Sequence, residues 1–145
     1  MKKLSILVIT VISVFLFSCN GKAQNSQPAN KKAANKIEVI DFHSTHRCMT
    51  CNAIEASTKY TLDTYFSKEL KNENITFQVV NVDDEKNYKL AEKFEATGTA
   101  LFLNVIVDGK ETQIDLTEFA FMKGNDQEAF SVEMKSKLEK ELKNI

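Results

Sequence analysis

Apolar and polar positions divide the chain into an apolar start, a polar stretch and a patterned remainder. Leu4 to Phe17 is apolar except for Ser5, Thr10 and Ser13, and Lys2 and Lys3 precede it. Asn20 to Lys36 has no large apolar residue and contains the only proline, Pro28. From Ile37 onward the pattern changes period repeatedly. "IEVIDF" (Ile37–Phe42) reads as a short buried strand. Asn52 to Lys71 lacks Gly and Pro, and Leu62, Tyr65, Phe66 and Leu70 recur at helical spacing, with Ala53, Ala56 and Tyr60 adding apolar surface a turn earlier. This predicts one helix of about five turns. "ITFQVVNVD" (Ile75–Asp83) is a second strand. Asp84 to Glu95 is a short helix with Tyr88, Leu90, Ala91 and Phe94 inward. "TALFLNVIVDGK" (Thr99–Lys110) is a near-continuous apolar strand ending in Asp-Gly, a hairpin signal, and "ETQIDLTE" returns as its half-polar partner. Gln127 to Asn144 closes as a helix with Phe130, Met134, Leu138 and Leu142 on one face.

The order is β-α-β-α-β-β-α, an α/β domain with a central sheet flanked by helices. Strands joined through helices predict parallel pairing, and the Asp108-Gly109 hairpin predicts one antiparallel edge. "TEFAFMKGN" (Thr117–Asn125) brings Phe119, Phe121 and Met122 together as helix-packing residues.

The N-terminal pattern changes the compartment. A basic start followed by a short apolar run reads as a signal peptide, residues 1–18, rather than a membrane span. Its end, Leu16-Phe17-Ser18-Cys19, resembles the bacterial lipobox, in which the cysteine is acylated and becomes the mature N-terminus. Residues 19–36 then form a lipidated cysteine and a flexible tether whose four lysines could lie along anionic headgroups. Residues 37–145 form one domain with 13 Lys and Arg against 20 Asp and Glu, a formal charge of −7. Nucleic acid is not an expected partner for it. The expected location is the cell envelope, on the periplasmic side of the outer membrane, where dithiols oxidise and disulfides persist.

The chemistry concentrates in "DFHSTHRCMTCNAIEAS" (Asp41–Ser57), which holds Cys48, Cys51, both histidines and the only arginine. It falls where the first strand feeds the first helix, and open α/β sheets carry their chemistry beyond the carboxyl ends of their strands. At a helix N-terminus the first N–H groups are unpaired and the end is partly positive, so a Cys48 thiolate is favoured there. Cys51, one turn on, points inward and can resolve a mixed disulfide. His46 and Arg47 would add positive potential. Two other readings stay open. His43, His46, Cys48 and Cys51 are four potential ligands for a soft metal or a metalloid. An inert disulfide is the third, although so short a loop constrains the unfolded chain little.

Element order, spacing and a Cys-x-x-Cys opening the first long helix resemble the thioredoxin-like superfamily. "FH…RCMTCNAIE" is more narrowly similar to bacterial thioredoxin-like proteins catalogued as nitrophenyl compound nitroreductase subunit. The resemblance implies a thiol–disulfide oxidoreductase with no bound cofactor, exchanging a Cys48–Cys51 dithiol with a protein thiol partner, or an accessory subunit docked on an enzyme. It also implies that Asp41 assists proton transfer to the resolving cysteine; an edge-facing, solvated Asp41 is the alternative. Three features depart from the family pattern. No aromatic residue precedes Cys48, Met49-Thr50 replaces Gly-Pro, and Ala100 stands where a cis-proline is expected. A non-proline cis bond costs ~3 kcal/mol, so the expected bond at Ala100 is trans.

Overall fold

The structure, a computed structural model, describes residues 34–145. The expected signal peptide, the expected lipidated Cys19 and all but the end of the expected tether lie outside the described residues. Strand β1 (Lys36–His43) starts one residue before the expected domain boundary. The side chain of Asn35 accepts a hydrogen bond from the Asp108 N–H at 2.8 Å, so the last tether residues are built into the domain.

Along β1 the side chains alternate between two cores. Ile37 and Val39 face one, with Ile54, Leu62, Leu103, Phe130, Met134 and Leu138. Ile40 and Phe42 face the other, with Val80, Ala91, Phe94 and Phe102. A strand with apolar residues at both parities can only be central, and β1 lies between β2 (Ile75–Asn81) and β3 (Ala100–Val107). The four-stranded sheet has the order β2-β1-β3-β4, with β4 spanning Lys110–Asp115. β1 and β2 are parallel, with Ile37 opposite Ile75.

β3 does not follow the predicted parallel rule: it runs antiparallel to β1, with Asp41 opposite Leu101, and antiparallel to β4. A helix between two strands fixes their relative direction only when it crosses one face and returns to the same end. The segment after β2 holds only a 3-10 turn (Glu85–Asn87) and α3 (Tyr88–Lys93), too short for that full return. The chain enters β3 from the end where β1 finishes. The hairpin is as expected, with Asp108 and Gly109 both at positive φ, 52° and 80°. The mixed sheet, its strand order and its helical layers make this a thioredoxin-like α/β fold.

The predicted helix Asn52–Lys71 is two helices, α1 (Met49–Tyr65) and α2 (Ser67–Lys71). They part at Phe66, which leaves helical geometry and enters the core at 3% exposure. The buried face of α1 also differs from the expected one. Tyr60, Tyr65 and Ala56 are exposed, whereas Cys51, Ile54, Ser57, Thr58, Thr61 and Leu62 are buried. Polar residues can occupy that face because their needs are largely met by neighbours. Thr61 donates to the Ser57 carbonyl at 2.7 Å and shares a hydrogen bond with Ser131 of α5 (Gln127–Leu142) at 2.9 Å. Tyr88, expected inward on the short helix, is exposed, while Ala91 and Phe94 are buried as expected.

Thr117–Lys123 forms its own helix, α4, instead of extending the β4 strand. Asp115 Oδ1 accepts from the Thr117 N–H at 2.8 Å and helps turn the chain. Of the three residues expected to pack there, only Phe119 does, stacking on Phe130 with ring centroids 4.8 Å apart. Phe121 and Met122 are exposed. On α5, Phe130, Met134 and Leu138 are fully buried, as the spacing predicts.

Candidate active site

Cys48 is the N-cap of α1 with an extended backbone, φ −77° and ψ 167°. Its Sγ accepts from the Cys51 N–H at 3.0 Å, and Cys51 Sγ accepts from the Cys48 N–H at 3.3 Å. A sulfur thereby stands where Ser or Asp commonly caps a helix. The two cysteines form a disulfide with Cα atoms 5.1 Å apart. The first turn of α1 has no acidic side chain to compete with a thiolate for the helix end. Cys48 is exposed and Cys51 is 6% exposed, so an incoming sulfur meets Cys48 first. Met49, next to Cys48, is 85% exposed.

Asp41 lies beneath this end of α1 and is completely buried, which removes the solvated alternative. It sits on the β1 face shared with Ile37 and Val39, between Val79 of β2 and Leu101 of β3. Neither carboxylate oxygen has a hydrogen-bond partner. Burial pushes its pKa up to about 7; Arg47 pulls in the other direction and Glu55 adds to the rise.

Arg47, expected to tune the cysteine pair, makes its contacts on the Cys51 side. Its Nη1 donates to Glu55 Oε2, and its Nη2 donates to the Cys51 carbonyl at 3.3 Å and lies 3.8 Å from Asp41 Oδ2. The guanidinium is thus inside the site, shared among the groups below the disulfide. Glu55 was not singled out from the sequence. Its position four residues after Cys51, on the same helix face, is the signal that could have found it.

The histidines face elsewhere. His43 is half-buried with Nδ1 2.9 Å from the Ser44 carbonyl, and His46 is exposed. Both act electrostatically on Asp83, whose pKa is lowered chiefly by the Thr45 N–H donating to it at 2.7 Å. Asn81 donates to Thr45 Oγ1 at 3.1 Å, and the Val82 N–H donates to the His43 carbonyl at 2.8 Å. These bonds pin the loop carrying both histidines to the end of β2. The four proposed metal ligands therefore do not converge. Among the described residues no three His, Cys, Asp or Glu side chains gather in a geometry that could hold an ion.

Two loops complete the surroundings. Thr97 to Ala100 leads into β3 beside the loop before the cysteines; a Cβ on Gly98 would lie 3.6 Å from Ser44 Oγ. No peptide bond among the described residues is cis. Thr97, Gly98, Thr99 and Ala100 also line a cleft of about 590 Å³ with Asp115 and Thr117, and neither cysteine lines it.

The second loop, after α4, was not foreseen. Asn125 Nδ2 donates to Thr50 Oγ1 at 3.3 Å, touching a residue between the cysteines. Gly124 makes this approach possible. Its backbone is helical, so the need is for space: a Cβ there would stand 2.7 Å from the Ala120 carbonyl and 2.8 Å from Ile54 Cγ1. We expect Gly124→Ala to cost about 1–3 kcal/mol in chemical denaturation, because neither neighbour can retreat freely. A change within experimental error would mean that α4 is not seated on α1 as described.

No protein-family model matches the chain, and no curated protein does. Among solved structures it is similar to a malarial protein, at 20% identity over 61% of this chain and 96% of that one, with a TM-score of 0.39. It is also similar to Fasciola hepatica thioredoxin, at 24% identity over 61% of this chain and 76% of that one, again with a TM-score of 0.39. At these scores the fold assignment rests on the strand order and pairing described above. Nothing in these neighbours supports the narrower nitroreductase-subunit resemblance.

Proposed function

We propose that the protein is a membrane-tethered, extracytoplasmic thiol–disulfide oxidoreductase that exchanges its Cys48–Cys51 pair with a protein partner. The observation that carries this reading is the asymmetry of the pair: an exposed sulfur at a helix N-terminus, bonded to a buried one, with, close by, a buried carboxylate that has no hydrogen bond. In the reducing direction the Cys48 thiolate attacks a partner disulfide, forming a Cys48–partner bond and releasing one partner thiolate. Cys51 then gives its proton to Asp41 and attacks Cys48 Sγ. The Cys48–Cys51 bond forms, the mixed disulfide breaks, and the second partner thiolate leaves. The partner gains two electrons and the dithiol loses two. The oxidising direction is the reverse. Tethering rests on the lipobox-like Cys19, and the envelope location follows from it. Among the described residues no helix is long and apolar enough to cross a membrane.

The test is a redox titration in glutathione or dithiothreitol, read by mass spectrometry. The expected result is a single two-electron transition between about −270 and −120 mV. A pair that stays reduced, or that oxidises only after chelator is added, would overturn this reading in favour of soft-metal binding.

A further inference from the structure

Two carboxylates compete for one cation under the disulfide. Arg47 is committed to Glu55 through Nη1, whereas its Nη2 stands 3.8 Å from Asp41, beyond hydrogen-bond reach. That same nitrogen touches the Cys51 carbonyl, so one guanidinium spans Asp41 and the main chain of the resolving cysteine. Exposure grades outward: the side chain of Asp41 is 0% exposed, Arg47 20% and Glu55 31%. Arg47 from the loop and Glu55 from α1 are the charged groups that act on Asp41, and the adjoining strands offer it only Val79 and Leu101.

We propose that Arg47 and Glu55 are opposed positioning residues for Asp41. Arg47 holds positive charge near the buried carboxylate, Glu55 draws that charge outward, and their balance sets when Asp41 can take the proton of Cys51. This rests on the oxidoreductase reading and assigns to these two residues the control of its resolving step. When Asp41 takes the proton, its claim on the guanidinium ends and the charge passes wholly to Glu55 at the solvent side. When Asp41 is ionised, the guanidinium is shared again. The arrangement lets a carboxylate with no hydrogen bonds of its own alternate between charged and neutral without stranding the arginine.

The proposal gives the two neighbours effects of opposite sign, which a purely structural role does not. In Glu55→Gln the like charge is gone and Arg47 is released toward Asp41, so ionisation of Asp41 becomes easier. In Arg47→Gln the cation beside Asp41 is gone, and ionisation becomes harder. The experiment is a carbon-13 titration of the Asp41 carboxyl in the oxidised full-length protein, paired with the pH profile of the resolving step in single turnover on oxidised glutathione. Glu55→Gln should lower the Asp41 midpoint by about one pH unit and Arg47→Gln should raise it by a similar amount. The rate profile should move in step with both. Arg47→Lys, which keeps the charge but loses the fork, should fall between wild type and Arg47→Gln, and it serves if the glutamine variant does not fold. Midpoints that move the same way, or a rate profile that ignores them, would overturn the proposal. A wild-type protein that exchanges no disulfide at any pH, with midpoints still moving oppositely, sinks the oxidoreductase reading while leaving Arg47 and Glu55 as the groups that set the charge of Asp41.

Discussion

Replacing Asp41 by Asn should open a stability gap in favour of the variant that widens by about 4 kcal/mol between pH 4 and pH 8. In the folded, oxidised protein burial raises the Asp41 pKa to about 7, while in the unfolded chain the carboxyl titrates near its ordinary value of 3.8. Below the unfolded value both states are protonated and the group contributes no pH dependence. Between the two values the unfolded chain releases its proton and the folded one keeps it, so folding stability falls as pH rises. Above pH 7 both are ionised and the full cost of the buried charge is present. Asparagine never ionises, so the variant escapes that loss. A constant offset is expected at every pH, because the Asn amide also lacks partners in this site. The slope of the difference, not its value at one pH, is therefore the quantity to measure. Urea denaturation of oxidised wild type and Asp41→Asn across this range provides it. A flat difference would mean that Asp41 is ionised in the fold throughout, held so by Arg47, and is too weak a base to take the proton of Cys51 at neutral pH.

How much of this was legible in the sequence depends on whether the signal was local. The Asp-Gly hairpin, the buried face of α5 and the seating of Cys48 at a helix start are local matters, and residue spacing reads them correctly. The direction of β3 is not local. It depends on which end of β1 the chain reaches after a short 3-10 turn and α3, and alternation cannot encode that. The inner face of α1 departs from the spacing because Tyr60 and Tyr65 are apolar by composition, while buried Thr61 bonds to Ser131 of α5, seventy residues on. Both halves of the site show the same division. Cys48, Cys51 and Asp41 stand in one short motif and could be named from it. Arg47 could be named too, but its role could not: a lone arginine beside a cysteine reads as a partner for the thiolate until Glu55 is placed one turn below. Gly124 and Asn125 carry no sequence signal that ties them to Thr50. Only the packing of α4 on α1 does so.

Cys48→Ser should abolish disulfide exchange, with a loss on the order of 10³-fold or more, whereas Cys51→Ser should halt it one step later. The distinction follows from burial. Cys48 is exposed at the helix end and is the only sulfur of the pair that a partner can reach; Cys51, 6% exposed, has no outward path except through Cys48. Without Cys48 no mixed disulfide forms, and serine at the same cap position offers no thiolate to attack the partner disulfide. Without Cys51 the first step proceeds, but resolution has no nucleophile, so the protein should accumulate as a covalent complex with its partner. Mass spectrometry of each variant, recovered from cells whose thiols have been trapped by acid and alkylation, reads the difference directly. A mixed disulfide on Cys48 in the Cys51→Ser variant, absent from Cys48→Ser, is the expected result, and it would also deliver the partner's identity. Serine replaces either thiol with little change in volume, so the fold should survive both changes. If the double variant Cys48→Ser/Cys51→Ser still supports the protein's function in cells, the dithiol is not what the protein contributes. A docking role for the domain would then take the place of catalysis, and the disulfide beneath Met49 would be a structural feature of the helix end.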